Sequence, residues 1–226
     1  MISTVSPTAS VRRLSLIALA GVGVFAAVVL LLHVIRPEYD VITRFVSEYA
    51  VTDPVMAAIA GVGLGIGSMA LAKAMTSVLP RERSLRTGII LLWIWAVCIT
   101  GVGLFPADEF PTINPPSWHG AIHAIFGLIG FFCFSVGSLV VSFRLHVLPS
   151  WQKVAPVLTS LATLCAVFFF LLYAGLPAVG LIERIFVAFI LAWIALVAQT
   201  LMTHTNASLD QMSPASQGGT APSRER

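Results

Sequence analysis

Charge is what this chain has least of. Asp, Glu, Lys and Arg make up 10% of its 226 residues, against 58% hydrophobic residues, whereas a soluble domain carries about a quarter charged residues. That balance excludes an ordinary water-soluble fold. Cysteine is scarce too: Cys98, Cys133 and Cys165 all fall inside hydrophobic runs and lack Cys-x-x-Cys spacing. They read as small apolar residues, and no disulfide framework can be inferred from them. Alternation of apolar and polar residues is missing, so the segments read as helices, whose backbone amides are satisfied within each segment in lipid. The centres of the hydrophobic runs hold hardly any ionisable residue, which argues against an ion or proton pathway. The net charge of +3 has no clustered basic face behind it, so nucleic acid is not an expected partner.

What the chain has is long apolar runs. About 20 apolar residues span the hydrocarbon of a bilayer. Runs of about that length lie at Leu14–Ile35, Val55–Leu79, Thr87–Phe105, Ala121–Leu145, Val154–Gly175 and Ile185–Thr203. The expected fold is all-α, a polytopic transmembrane six-helix bundle over residues 14–203. Residues 1–13 form an N-terminal segment, and residues 204–226, rich in Ser, Thr, Gln, Gly and Pro, are expected to be a disordered tail. The first run is longer than a signal h-region and ends in His33 and Arg36-Pro37, so it reads as retained. Within the second run, Gly61, Gly63, Gly65 and Gly67 suit close helix packing; no strand precedes them, which sets aside dinucleotide binding. Gly127, Gly130 and Gly137 form a second candidate smooth face.

Orientation follows from Lys and Arg. Ten basic residues (Arg12, Arg13, Lys73, Arg81, Arg83, Arg86, Arg144, Lys153, Arg224 and Arg226) fall on one side, and Arg36, Arg44 and Arg184 on the other. Both termini are therefore expected in the cytoplasm, with the protein in the inner, or plasma, membrane. Glu38, Asp40, Glu48, Asp53, Asp108, Glu109 and Glu183 then face outward.

Two outer loops collect the polar chemistry. In the first, Ile42, Phe45, Val46 and Tyr49 recur at i, i+3, i+4 and i+7 between Pro37 and Pro54. This spacing predicts a short interfacial helix, with Asp40 a candidate N-cap. The second loop holds four prolines from Pro106 to Pro116; Ser117 can cap the next helix, and Trp118 suits the interfacial aromatic belt. His119 and His123, at i and i+4, share a helix face, and His33 ends the first span. The candidate site is His33, Ser47, Glu48, Asp108, His119 and His123.

These motifs (His33, Arg36-Pro-Glu-Tyr-Asp40, Ser47-Glu-Tyr-Ala50, Gly103-Leu-Phe-Pro-Ala-Asp108 and His119-Gly120 with His123) resemble the bacterial domain of unknown function 998 family. The resemblance runs from about Leu14 to Thr203 and implies a six-span membrane protein of unassigned function. The family often has Pro or Gly after Phe-Pro-x-Asp, where this chain has Glu109-Phe110.

Three readings of the cluster follow from its chemistry. In the first it binds membrane lipid or a small ligand, or serves as a structural cap. In the second, His33, His119 and His123 hold zinc, Asp108 or Glu48 assists, and a metal-bound water hydrolyses a lipid ester or amide. A metal-free variant of this would use Ser47 as nucleophile with a histidine base and Glu48 or Asp108 behind it, although no Gly-x-Ser-x-Gly elbow surrounds the serine. The third is small-molecule transport.

Overall fold

The computed structural model describes residues 7–109 and 115–212, with side chains described over 9–109 and 115–204. Six long helices carry the chain: α1 (Pro7–Ile35), α3 (Pro54–Val78), α4 (Arg83–Leu104), α5 (Trp118–Leu145), α6 (Ala155–Leu172) and α7 (Val179–Met212). Between α1 and α3, a 3₁₀ turn at Val46–Glu48 leads into the one-turn helix α2 (Tyr49–Thr52). No strand occurs among the described residues. Each long helix is apolar and long enough to cross a bilayer. The shortest, α6, has 18 residues, about 27 Å at 1.5 Å per residue. The helix ends depart from the hydropathy windows at both termini. Helix α1 begins seven residues before Leu14, and α7 runs past Thr203 to Met212. The rest of the expected disordered tail, residues 213–226, lies outside the described residues.

Sequence neighbours among the long helices pack on one another, and α7 returns to α1, closing a ring in the order α1, α3, α4, α5, α6, α7. Successive spans cross in alternate directions, so one end of the bundle gathers the described loop residues 36–53, 105–109, 115–117 and 173–178, here called the polar end. The ring is centred on aromatic packing. Phe134 lies edge-on to both Trp95 and Trp193, at centroid distances of 5.2 and 5.6 Å. The two indoles are satisfied by buried serines: Trp95 Nε1 donates to Ser68 Oγ at 3.1 Å and Trp193 Nε1 to Ser142 Oγ at 2.9 Å. Cys98, Cys133 and Cys165 are buried free thiols, in keeping with their reading as packing residues.

The glycine run of α3 serves two neighbours. A Cβ on Gly61 would lie 2.6 Å from the Gly103 Cα of α4, and one on Gly21 of α1 would lie 2.5 Å from the Gly63 carbonyl oxygen. Only a hydrogen fits at either crossing, which is the small-residue packing expected of membrane helices. Gly130 and Gly137 likewise press against α4, whereas Gly127 has open space around it.

At the end of the bundle opposite the polar end, Arg144 of α5 pairs with Glu82, the residue before α4. Exposed pairs of this kind contribute little on their own.

Candidate functional site

The first polar loop corrects the sequence reading. Ile42 to Tyr49 do not form one amphipathic interfacial helix, because carboxylates capture the backbone donors such a helix would use. Asp40 Oδ1 accepts from Ile42 N at 2.7 Å and from Thr43 N at 3.0 Å. Glu48 Oε1 accepts from Phe45 N at 2.8 Å, and Glu183 Oε2 of α7 accepts from Val46 N at 2.5 Å. Asp40 thus caps a turn, and helical structure starts at Val46. The segment also folds inward: Glu48, Tyr49 and Ala50 are all buried.

Arg36 closes this loop on itself. Its Nε donates to Asp53 Oδ2 at 2.5 Å and its Nη2 to Asp53 Oδ1 at 3.2 Å, which ties the end of α1 to the start of α3. The bidentate fork holds the Asp53 carboxyl below its ordinary range, chiefly through the Arg36 hydrogen bond. Tyr39, Tyr49 and Leu32 make a small satellite core beneath the fork. Helix α7 then docks against the loop. Leu181 N donates to Ile42 O at 3.1 Å, and Gly180 lies so close that a Cβ there would sit 2.2 Å from the Arg44 carbonyl oxygen.

The second loop is organised by Asp108. Its Oδ2 accepts from Ser117 N at 2.9 Å and its Oδ1 from Ser117 Oγ at 2.5 Å, while Ser117 Oγ accepts from Gly120 N at 3.0 Å as the N-cap of α5. The Ser117 hydroxyl is the main reason the Asp108 carboxyl sits below its ordinary range. A Cβ on Gly120 would lie 2.2 Å from Asp108 Oδ2, which explains the His119-Gly120 pair: glycine leaves room for the carboxylate. His119 Nδ1 lies 3.0 Å from the Pro106 carbonyl oxygen and His123 Nδ1 2.7 Å from that of Phe105. A carbonyl only accepts, so in both rings Nδ1 carries the proton, and both rings tie α5 to the end of α4.

His33 is held differently. Its Nδ1 donates to Val29 O at 2.7 Å, and its Nε2 accepts from Arg184 Nε at 2.8 Å. Arg184 Nη1 donates in turn to Arg44 O at 2.7 Å and Gly180 O at 2.9 Å. The His33 lone pair that would ligate a metal is therefore occupied by a guanidinium. Among the described residues no three His, Cys, Asp or Glu side chains are grouped to hold a metal ion. The proposed zinc set His33, His119 and His123 is not assembled. The serine-nucleophile variant fares no better: Glu48 pairs with Arg44 at 2.9 Å, Asp108 is tied to Ser117, and the Nδ1 of His123 faces a carbonyl where a triad would place a carboxylate.

Two spaces open beside these residues. The first is a cavity of about 70 Å³ inside the polar half of the ring, walled by apolar side chains such as Phe25, Trp95 and Ile99 and reached by Ser47, Tyr49, His123 and Glu183. Tyr49 is 1% exposed, and its hydroxyl has no hydrogen-bond partner. The second is a groove of about 330 Å³ between α1 and α7, lined by apolar residues together with His33 and Arg184. Phe25, Val29, Val46 and Val187 line both spaces, so a single layer of side chains separates them.

Of the six residues expected to form the site, the structure places Ser47 and His123 at the cavity and His33 at the groove. Glu48, Asp108 and His119 fasten loops. The sequence reading missed Tyr49, Glu183 and Arg184 as site residues. Glu183 and Arg184 fell just outside the hydropathy window that opened at Ile185, whereas α7 begins at Val179. The signal available was their position one to two residues before a span.

A closed ring of six apolar helices with its charged residues kept to the two ends is the architecture of a multi-pass membrane protein. Within that class, the chain belongs to the family described as "Protein of unknown function (DUF998)", whose match covers residues 19–200. Neither the curated proteins nor the solved structures give a match.

Proposed function

We propose that the protein binds a small amphipathic molecule drawn from the bilayer, with the polar part of that molecule inside the cavity at the polar end. The buried, unpartnered Tyr49 hydroxyl carries this reading. Leaving a buried hydroxyl unsatisfied costs about 1–3 kcal/mol, and a ligand atom between Tyr49 and its neighbours removes that cost. Ser47 adds a hydroxyl, Glu183 a carboxyl and His123 an imidazole, all on an otherwise apolar wall. A mostly apolar pocket with a few convergent polar groups is the usual form of a small-molecule site. The unassembled zinc set and the committed carboxylates leave binding better supported than hydrolysis.

The test is native mass spectrometry of the protein extracted from its membrane, compared with Ala60→Leu. Ala60 is a buried cavity-wall residue, and the larger side chain fills the space. A small molecule retained by the wild-type chain and lost from a folded Ala60→Leu variant supports the reading. Equal retention in both, or none in the wild type, overturns it.

A further inference from the structure

We infer that the groove between α1 and α7 is a second binding site, for an anionic phospholipid of the leaflet at the polar end, with the lipid phosphate on Arg184 and an acyl chain along the groove. The inference goes beyond the cavity and does not depend on it.

Three observations converge. First, Arg184 is a cation with no carboxylate in direct contact: none of the ion pairs among the described residues involves it, and Asp40 and Glu183 act on it only from longer range. Its Nε and Nη1 are spent on His33 Nε2 and on two backbone carbonyls, while Nη2 is buried with no hydrogen-bond partner. His33 is itself oriented by its bond to Val29 O, so the guanidinium is held as a fixed fork with one donor pair unused. Such forks match phosphate geometry.

Second, the rest of the groove is hydrocarbon. Its wall runs from Val46 down through Val29, Ala26, Val187 and Leu191, and Leu30 on its rim is 68% exposed. That rim stands within a segment apolar enough to lie in the bilayer, so the groove opens to lipid.

Third, the depth fits. Arg184 is five residues from the first residue of α7, about 7.5 Å along the axis, which places it in the interfacial zone where headgroup phosphates lie. The groove's charge and shape thus complement a molecule with an anionic head and an apolar tail. A free anion would leave the apolar wall uncovered, and a lipid without a phosphate would leave the Nη2 donors of Arg184 unmet.

The test uses the purified full chain in detergent, titrated with dioleoyl phosphatidylglycerol and read by native mass spectrometry. Dioleoylglycerol, which lacks the phosphate, and glycerol phosphate, which lacks the chains, serve as the other two ligands. The phospholipid is expected to bind, with retention falling about tenfold or more in Arg184→Gln, as loss of a charge-assisted hydrogen bond implies. Ala188→Trp, at an exposed groove position, should block the same binding without burdening the core, which guards against misfolding of the arginine variant. The cavity variant Ala60→Leu should leave phospholipid retention unchanged, so the two sites fail or succeed separately. Equal binding of dioleoylglycerol removes the phosphate from the account, and equal binding of glycerol phosphate identifies a free anion as the occupant. Unchanged retention in both Arg184→Gln and Ala188→Trp overturns the site.

Discussion

Tyr49 shows how a single side chain can distinguish a structural cap from a binding site. Its ring packs against His33 and Tyr39, at centroid distances of 5.4 and 5.2 Å, and so holds the first polar loop to α1. The hydroxyl adds nothing to that packing. Tyr49→Phe keeps the ring and removes the unsatisfied group, so without ligand the variant should be as stable as the wild type or more so by up to about 1–3 kcal/mol. It should also lose affinity for whatever occupies the cavity. Thermal unfolding of delipidated protein checks the first effect and ligand retention the second; a variant both markedly destabilised and unaltered in retention would mark the hydroxyl as structural. Arg184 follows the same logic with opposite chemistry, since it retains a donor pair that the fold does not use. By contrast, Asp108 and Glu48 have their acceptors filled by the protein itself, although their sequence context made them look equally available.

At the level of elements, the two polar loops are clasps closed by carboxylates. Asp53 with Arg36 closes the first, and Asp108 with Ser117 closes the second; both carboxyls titrate below their ordinary value of 3.8. A carboxyl depressed in the folded state contributes stability that is present above its unfolded pKa and lost as pH falls through its folded pKa. The loops should therefore stay protected at pH 5 and above and loosen progressively below about pH 3.8, with the spans unaffected. Hydrogen exchange at residues 36–53 and 105–109, compared between pH 6 and pH 2, below the ordinary carboxyl range, checks this after correction for the intrinsic pH dependence of exchange. Uniform protection at both values would show that packing of Tyr39 and Tyr49, with little help from the ion pair, closes the loop. The same elements show what periodicity misses. The spacing of Ile42, Phe45, Val46 and Tyr49 is helical, yet Asp40, Glu48 and Glu183 supply acceptors that compete with the backbone, and one of these comes from a helix 137 residues away. No local pattern encodes that partner.

For the whole molecule, hydropathy carries most of the fold: the six spans, and the α3 glycines that let its neighbours close in, follow from composition and spacing because a bilayer permits few alternatives. The site was legible only in part. Sequence places the histidines and carboxylates at one end of the bundle, but which of them face a cavity depends on the closure of α7 against α1, a contact between the first and last helices. That closure brings Arg184 to His33 and Glu183 to Val46, and it creates both the groove and one side of the cavity. The account's central claim is that the polar end holds a ligand. Its most direct test is an experimental density map of the protein in a lipid bilayer disc. We expect density for a non-protein molecule, other than water, within hydrogen-bond distance of the Tyr49 hydroxyl; a cavity holding only water bonded to that hydroxyl, or one closed by side chains, would contradict the claim.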